Sequence, residues 1–143
     1  MFNLNRPPQG AKIPRAPRMA LILIVEDDQQ LLRAACRALE RHGHEVMVAA
    51  NADEVERRLQ MTPRVPDVVL MDLVLPGVGG RELARHLQTV HERMAVVFMS
   101  GYPGRVAQEL GAADRFLRKP FSVPDLLHAV EGALETLAKE ERA

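Results

Sequence analysis

The chain has 143 residues, 47% of them apolar, so one domain with a sizeable core is affordable in length, although one Tyr and four Phe leave that core to Leu, Val, Ile, Ala and Met. Nineteen Lys and Arg balance nineteen Asp and Glu, which argues against non-specific binding to nucleic acid or an anionic membrane. The single Cys36 forms no internal disulfide, no apolar run reaches the ~20 residues of a membrane span, and the N-terminus lacks a secretory h-region, so a reducing, cytoplasmic setting is expected.

Residues 1–18 carry Pro7, Pro8, Pro14 and Pro17 with Arg6, Lys12, Arg15 and Arg18 and no acid. They read as a flexible basic tail, either a contact arm or a plain leader. From Ala20 the chain alternates short apolar runs with helix-period stretches. Ala20 to Val25 is a buried strand by length and composition. Asp28 to His42 is a helix with Leu32, Ala35 and Leu39 on one face and Gly43 placed to end it. Glu45 to Ala49 is a second strand, and Ala52, Val55 and Leu59 form the stripe of a second helix.

After Pro63 and Pro66, residues 67–72 contain the clearest strand, Val68-Val69-Leu70-Met71. Leu83, Leu87 and Val90 lie at helical spacing. Ala95 to Met99 is a fourth strand, Pro103 to Leu110 a weak helix closed by Gly111, and Arg115 to Leu117 a short fifth strand. The last helix opens with Ser122 as cap and Asp125 three residues on, and buries Leu126, Val130, Leu134 and Leu137. Five strand–helix units predict an α/β domain over residues 19–140, a parallel sheet covered on both faces, with no output domain beside it.

In such sheets the chemistry lies at the carboxyl ends of the strands. Here the first strand ends in Glu26-Asp27-Asp28, the third in Asp72, the fourth in Ser100, and the fifth near Lys119. Converging carboxylates repel, by about 4 kcal/mol per close pair at an effective dielectric near 20. Lys119 or a hard divalent cation would offset that, and Mg²⁺ takes such oxygen ligands while keeping waters and a phosphate oxygen. A carboxylate so placed is equipped to attack phosphorus and form an acyl phosphate. Taken singly, each position has a plainer reading, a turn acid or, for Asp28, a helix cap. Four strand ends in the right order are what distinguish the functional reading.

Over residues 20–138 the chain resembles the receiver domain of bacterial two-component response regulators. The motifs that carry the likeness are Ile24-Val25-Glu26-Asp27-Asp28, Val68 to Gly77 around Asp72, Val96-Val97-Phe98-Met99-Ser100-Gly101-Tyr102, and Lys119-Pro120-Phe121. The resemblance implies a flavodoxin-like sheet in the order 2-1-3-4-5, stand-alone and similar to the chemotaxis regulators. It implies phosphorylation of Asp72 by a sensor histidine kinase or histidine phosphotransfer protein. Glu26, Asp27, Asp72 and the Val74 backbone carbonyl would hold Mg²⁺, Lys119 and Ser100 would contact the phosphoryl group, and Phe116 would turn inward as Ser100 moves. The Lys119–Pro120 bond would be cis. Phe116 stands where the family commonly has Tyr, so it can pack inward but offers no hydroxyl.

The expected output is a protein–protein event at the fourth helix, fifth strand and fifth helix, with a downstream partner or a homodimer, and no direct contact with nucleic acid or membrane. Two rivals come from other classes. A haloacid-dehalogenase-type phosphatase needs a second acid two residues after the nucleophile, where this chain has Val74. A pseudo-receiver, a binding module that is not phosphorylated, usually lacks part of the acid–lysine set. The five histidines (His42, His44, His86, His91, His128) are read as surface residues, Met71 and Met99 as packing, and Gly77, Gly79 and Gly80 as a flexible turn lacking the Lys-Ser/Thr of a phosphate loop.

Overall fold

Strand β1 (Leu21–Val25) and strand β3 (Val68–Asp72) are apolar almost without alternation, and every one of their residues is buried. That follows if both sheet faces are covered. The computed structural model, which describes residues 19–142, has all five strands parallel in the order β2-β1-β3-β4-β5, as predicted. The remaining strands are β2 (Glu45–Ala49), β4 (Ala95–Ser100) and β5 (Arg115–Arg118). The tail expected over residues 1–18 lies outside the described residues.

Period-2 alternation divides the central strands between two cores. Ile22, Ile24, Leu70 and Val97 face helices α1 (Gln29–Arg41) and α5 (Val123–Arg142), meeting Leu39, Leu126 and Val130. Leu23, Val25, Val69 and Met71 face α2 (Ala52–Met61) and α3 (Gly80–Val90), meeting Val55, Leu83 and Leu87. Each fully buried aliphatic side chain contributes about 1.5–3 kcal/mol relative to exposure. The edge strands differ: β2 is only partly covered, and β5 buries Leu117 alone.

Local signals set the helix ends. The Asp28 carboxylate accepts from the N–H groups of Gln30 (3.0 Å) and Leu31 (3.2 Å), and Gly43 beyond the end of α1 has φ +87°. Ser122 and Asp125 cap α5 reciprocally: the Asp125 N–H donates to Ser122 Oγ at 3.2 Å and the Ser122 N–H to Asp125 Oδ2 at 3.4 Å.

Two expectations need correction. His44 is buried, not on the surface: it sits at the start of β2 and its Nδ1 accepts the Ala20 N–H at 3.3 Å. Burial of the ring, chiefly, and the nearby His42 lower its pKa against the opposing pull of Glu131. Val90 falls in the helix that its spacing with Leu83 and Leu87 predicts, but as the last residue of α3 it is 60% exposed, and Met94, 3% exposed, fills that end of the core. Gly111 does not close α4 (Pro103–Glu109) in a left-handed conformation; the helix stops because Leu110 is already extended.

Candidate functional site at the strand ends

β1 leads outward to β2 on one side while β3 lies on its other side, so the crevice at their carboxyl ends is the topological switch point. The backbone continues the sheet just past the strands: the Glu26 N–H donates to Ala49 O (3.0 Å), the Leu73 N–H to Met99 O (3.0 Å) and the Lys119 N–H to Ser100 O (2.9 Å). These bonds bring Glu26, Asp72, Ser100 and Lys119 to one edge.

The three consecutive acids after β1 separate in role. Glu26 is buried, 1% exposed, and Asp27 is exposed, yet one carboxylate oxygen from each and one from Asp72 lie within 4.8 Å of one another. Asp28 points away and caps α1. Lys119, arriving on the loop after β5, bridges Glu26 and Asp72: its Nζ lies 2.5 Å from Glu26 Oε1 and 3.1 Å from Asp72 Oδ2. The other Asp72 oxygen accepts the Val74 N–H at 3.0 Å, which fixes the carboxylate plane. The Lys119–Pro120 peptide bond is cis.

Burial, first, and then the Asp72 carboxylate push the Glu26 carboxyl up to about 8, against the opposing pull of Lys119. Burial lowers the Lys119 ammonium, but Glu26 and Asp72 outweigh it and hold the net value above the ordinary one. The second Glu26 oxygen is buried and has no hydrogen-bond partner. An orphaned carboxylate oxygen beside two further carboxylates is a donor set that suits a hard cation with oxygen ligands.

Ser100 is 1% exposed, and its Oγ accepts the Tyr102 N–H at 2.9 Å. Phe116 pairs across the sheet with Phe98 and is 38% exposed, an outward position. Met71 and Met99 are fully buried packing residues. Sequence reasoning misses Gly80: a Cβ there would lie 2.0 Å from the Asp72 carbonyl oxygen, whereas at Gly79 it would meet nothing within 4 Å. No local signal separates these adjacent glycines.

These features define a flavodoxin-like α/β protein whose site is built from strand-end carboxylates and a lysine rather than a phosphate-binding loop. The chain belongs to the response regulator receiver domain family, whose model matches residues 22–131, and receivers of this kind are parts of two-component systems. It is 36% identical over 124 residues to the phosphate regulon transcriptional regulatory protein PhoB of Rhizobium meliloti (strain 1021), covering 83% of this chain and 54% of that protein. It is 32% identical over 119 residues to the response regulator receiver protein CpdR of Brucella abortus (strain 2308), covering 81% of this chain and 98% of that protein. Among solved structures, NtrX from Brucella abortus in complex with ATP superposes with a TM-score of 0.78 at 29% identity, over 87% of this chain and 29% of that one. A CheY-like receiver domain protein from Methanospirillum hungatei JF-1 gives 0.73 at 28% identity, over 86% and 99%. The chain thus spans about half of the first relative and nearly all of the CpdR protein. No described helix is long and apolar enough to cross a membrane.

Proposed function

We propose that this protein is a phosphoacceptor switch that takes a phosphoryl group on Asp72 from the phosphohistidine of a sensor histidine kinase or histidine phosphotransfer protein. The observation that carries this reading is the setting of Asp72: one oxygen on the Val74 N–H, the other on Lys119 Nζ, beside Glu26 and Asp27. A carboxylate oxygen of Asp72 attacks phosphorus, the P–N bond to the imidazole breaks, and an acyl phosphate forms. The transfer is stoichiometric, so the chain is a switch and not a catalyst of turnover.

Glu26, Asp27, Asp72 and the Val74 carbonyl would hold Mg²⁺, which when bound neutralises charge on the transferring phosphoryl oxygens. Lys119 passes from the Asp72 carboxylate to a phosphoryl oxygen, and Ser100 turns its hydroxyl from the Tyr102 backbone to another. Phe116 then follows Ser100 inward, changing the α4–β5–α5 face for a downstream protein or a second copy of the chain. A swing from 1:99 to 99:1 needs about 5.5 kcal/mol of differential interaction. Two charge-assisted hydrogen bonds at roughly 1.5–3 kcal/mol each supply much of it.

Intact mass after incubation with acetyl phosphate and Mg²⁺ tests the reading, with Asp72→Ala alongside. One added phosphoryl group on the parent and none on the variant is expected. No addition to either, from acetyl phosphate or a cognate kinase, would replace it with the pseudo-receiver reading.

A further inference from the structure

Helix α4 buries none of its seven residues, which is unusual for an element that amphipathic packing must stabilise. The apolar contacts of this region with the core come from Val106 and from Leu110 just beyond the helix, both only partly buried. At its N-terminal end the segment is pinned by the Tyr102 N–H on Ser100 Oγ. Its other end is tied to α3 by one side-chain pair.

That pair is Arg81 and Asp114. Arg81 Nη1 donates to Asp114 Oδ1 at 2.9 Å, and the guanidinium lies over the Phe98 ring, 5.3 Å from its centroid. The two side chains are 27% and 22% exposed, so water competes weakly for either. Asp114 Oδ2 accepts the Gly111 N–H at 2.8 Å, and the Asp114 N–H donates to Gly111 O at 3.1 Å. Residues 111–114 are therefore a doubly closed turn that moves as a piece, with Arg81 as its external anchor. Asp114 titrates below the usual carboxylate range: burial raises it, but the Gly111 N–H, Arg81 and the further charge of Arg85 outweigh that.

The anchor itself is fixed. Arg81 follows Gly80, whose Cα rests against the Asp72 carbonyl closely enough to exclude a Cβ. The pair thus runs from the end of the strand bearing Asp72 to the turn that enters β5, two residues before Phe116. The closed arrangement also leaves Arg81 Nε buried without a hydrogen-bond partner, and Glu109 Oε2 buried with no hydrogen bond and only Arg105 Nη1 nearby at 3.9 Å. Opening would hydrate both atoms, which lowers the cost of release. A segment with no buried residues, two partly buried apolar contacts and a single side-chain ion pair tying it to α3 among the described residues belongs to the low-stability end of the fold.

We infer that Arg81 and Asp114 form a latch that holds residues 103–114 closed over Phe98, and that this segment opens as one unit when the latch is released. The latch belongs to the unphosphorylated protein; its use as the release point of the switch rests on the phosphoacceptor reading.

Hydrogen exchange on the full chain without phosphodonor tests it, comparing the parent with Asp114→Asn, Arg81→Met and the double variant. Asparagine keeps an acceptor for the Gly111 N–H, so the turn survives while the ion pair is lost. Either single variant should speed exchange across residues 103–114 about tenfold or more, while β1, β3 and residues 126–134 keep the parent's protection. The double variant should be no faster than the faster single one, because both break the same contact. Unchanged exchange in 103–114, equal acceleration in β3 and α5, or additive effects in the double variant would each overturn the latch. Intact mass of the same samples after acetyl phosphate separates the two readings. If the parent takes no phosphoryl group but the variants show the selective acceleration, the latch stands and its role in signalling is lost.

Discussion

Replacing Glu26 by Gln removes a charge that the fold buries next to another of the same sign. Burial and Asp72 raise the Glu26 pKa from 4.5 to about 8, so between those values the folded protein holds a proton that the unfolded chain has released. The folded state then binds more protons than the unfolded one, and stability must fall as pH rises through that window. At about 1.4 kcal/mol per pH unit the loss is at most about 5 kcal/mol. Lys119 does not share in it, because its value is raised above 10.5 and its own contribution is lost only at higher pH. His44 acts in the opposite sense, since its lowered value makes the folded state less stable as pH falls below 6.5. Parent and variant both carry His44, so their difference isolates Glu26. Urea unfolding in EDTA, at about pH 5 and about pH 8.5, measures it. The parent should lose roughly 2–5 kcal/mol more than Glu26→Gln between the two. Parallel pH profiles would show that the buried carboxylate is not the destabilising charge.

Gly80→Ala should destabilise the protein by about 1–3 kcal/mol or more in urea unfolding, because the added Cβ meets the Asp72 backbone at 2.0 and 2.8 Å and backbone cannot swing aside; an unchanged midpoint would contradict that packing. Val74 and Tyr102 each place a backbone N–H on a site side chain, Asp72 and Ser100, and neither offers a carboxylate or amide to position a hydrolytic water. On the phosphoacceptor reading the acyl phosphate is therefore long-lived, and Tyr102→Glu should shorten its life in a mass-spectrometric decay assay. Equal decay rates would remove the rim argument.

The elements and the chemistry of the strand ends are local properties, and they are legible in the chain. Leu21–Val25 and residues 68–71 are uninterrupted apolar runs each followed by acid, so buried strands ending in carboxylates can be read without knowing what packs on them. The Asp28 and Ser122 caps are equally local, since their partners lie two and three residues away. Glu26, Asp72, Ser100 and Lys119 could be named because each sits where a strand stops.

Tertiary structure decided how those residues are shared out and what supports them. Glu26, Asp27 and Asp28 are equivalent as letters, but one is buried against Lys119, one reaches the carboxylate group from the surface, and one is committed to a helix cap. Among Gly77, Gly79 and Gly80, a positive φ requires the first and the Asp72 carbonyl requires the last. His44 is buried because the start of β2 lies beside Ala20, 24 residues earlier, and Arg81 meets Asp114 across 33 residues. Periodicity and capping arise from neighbours along the chain, whereas burial, close approach and ion pairing arise from whichever segments the sheet brings together.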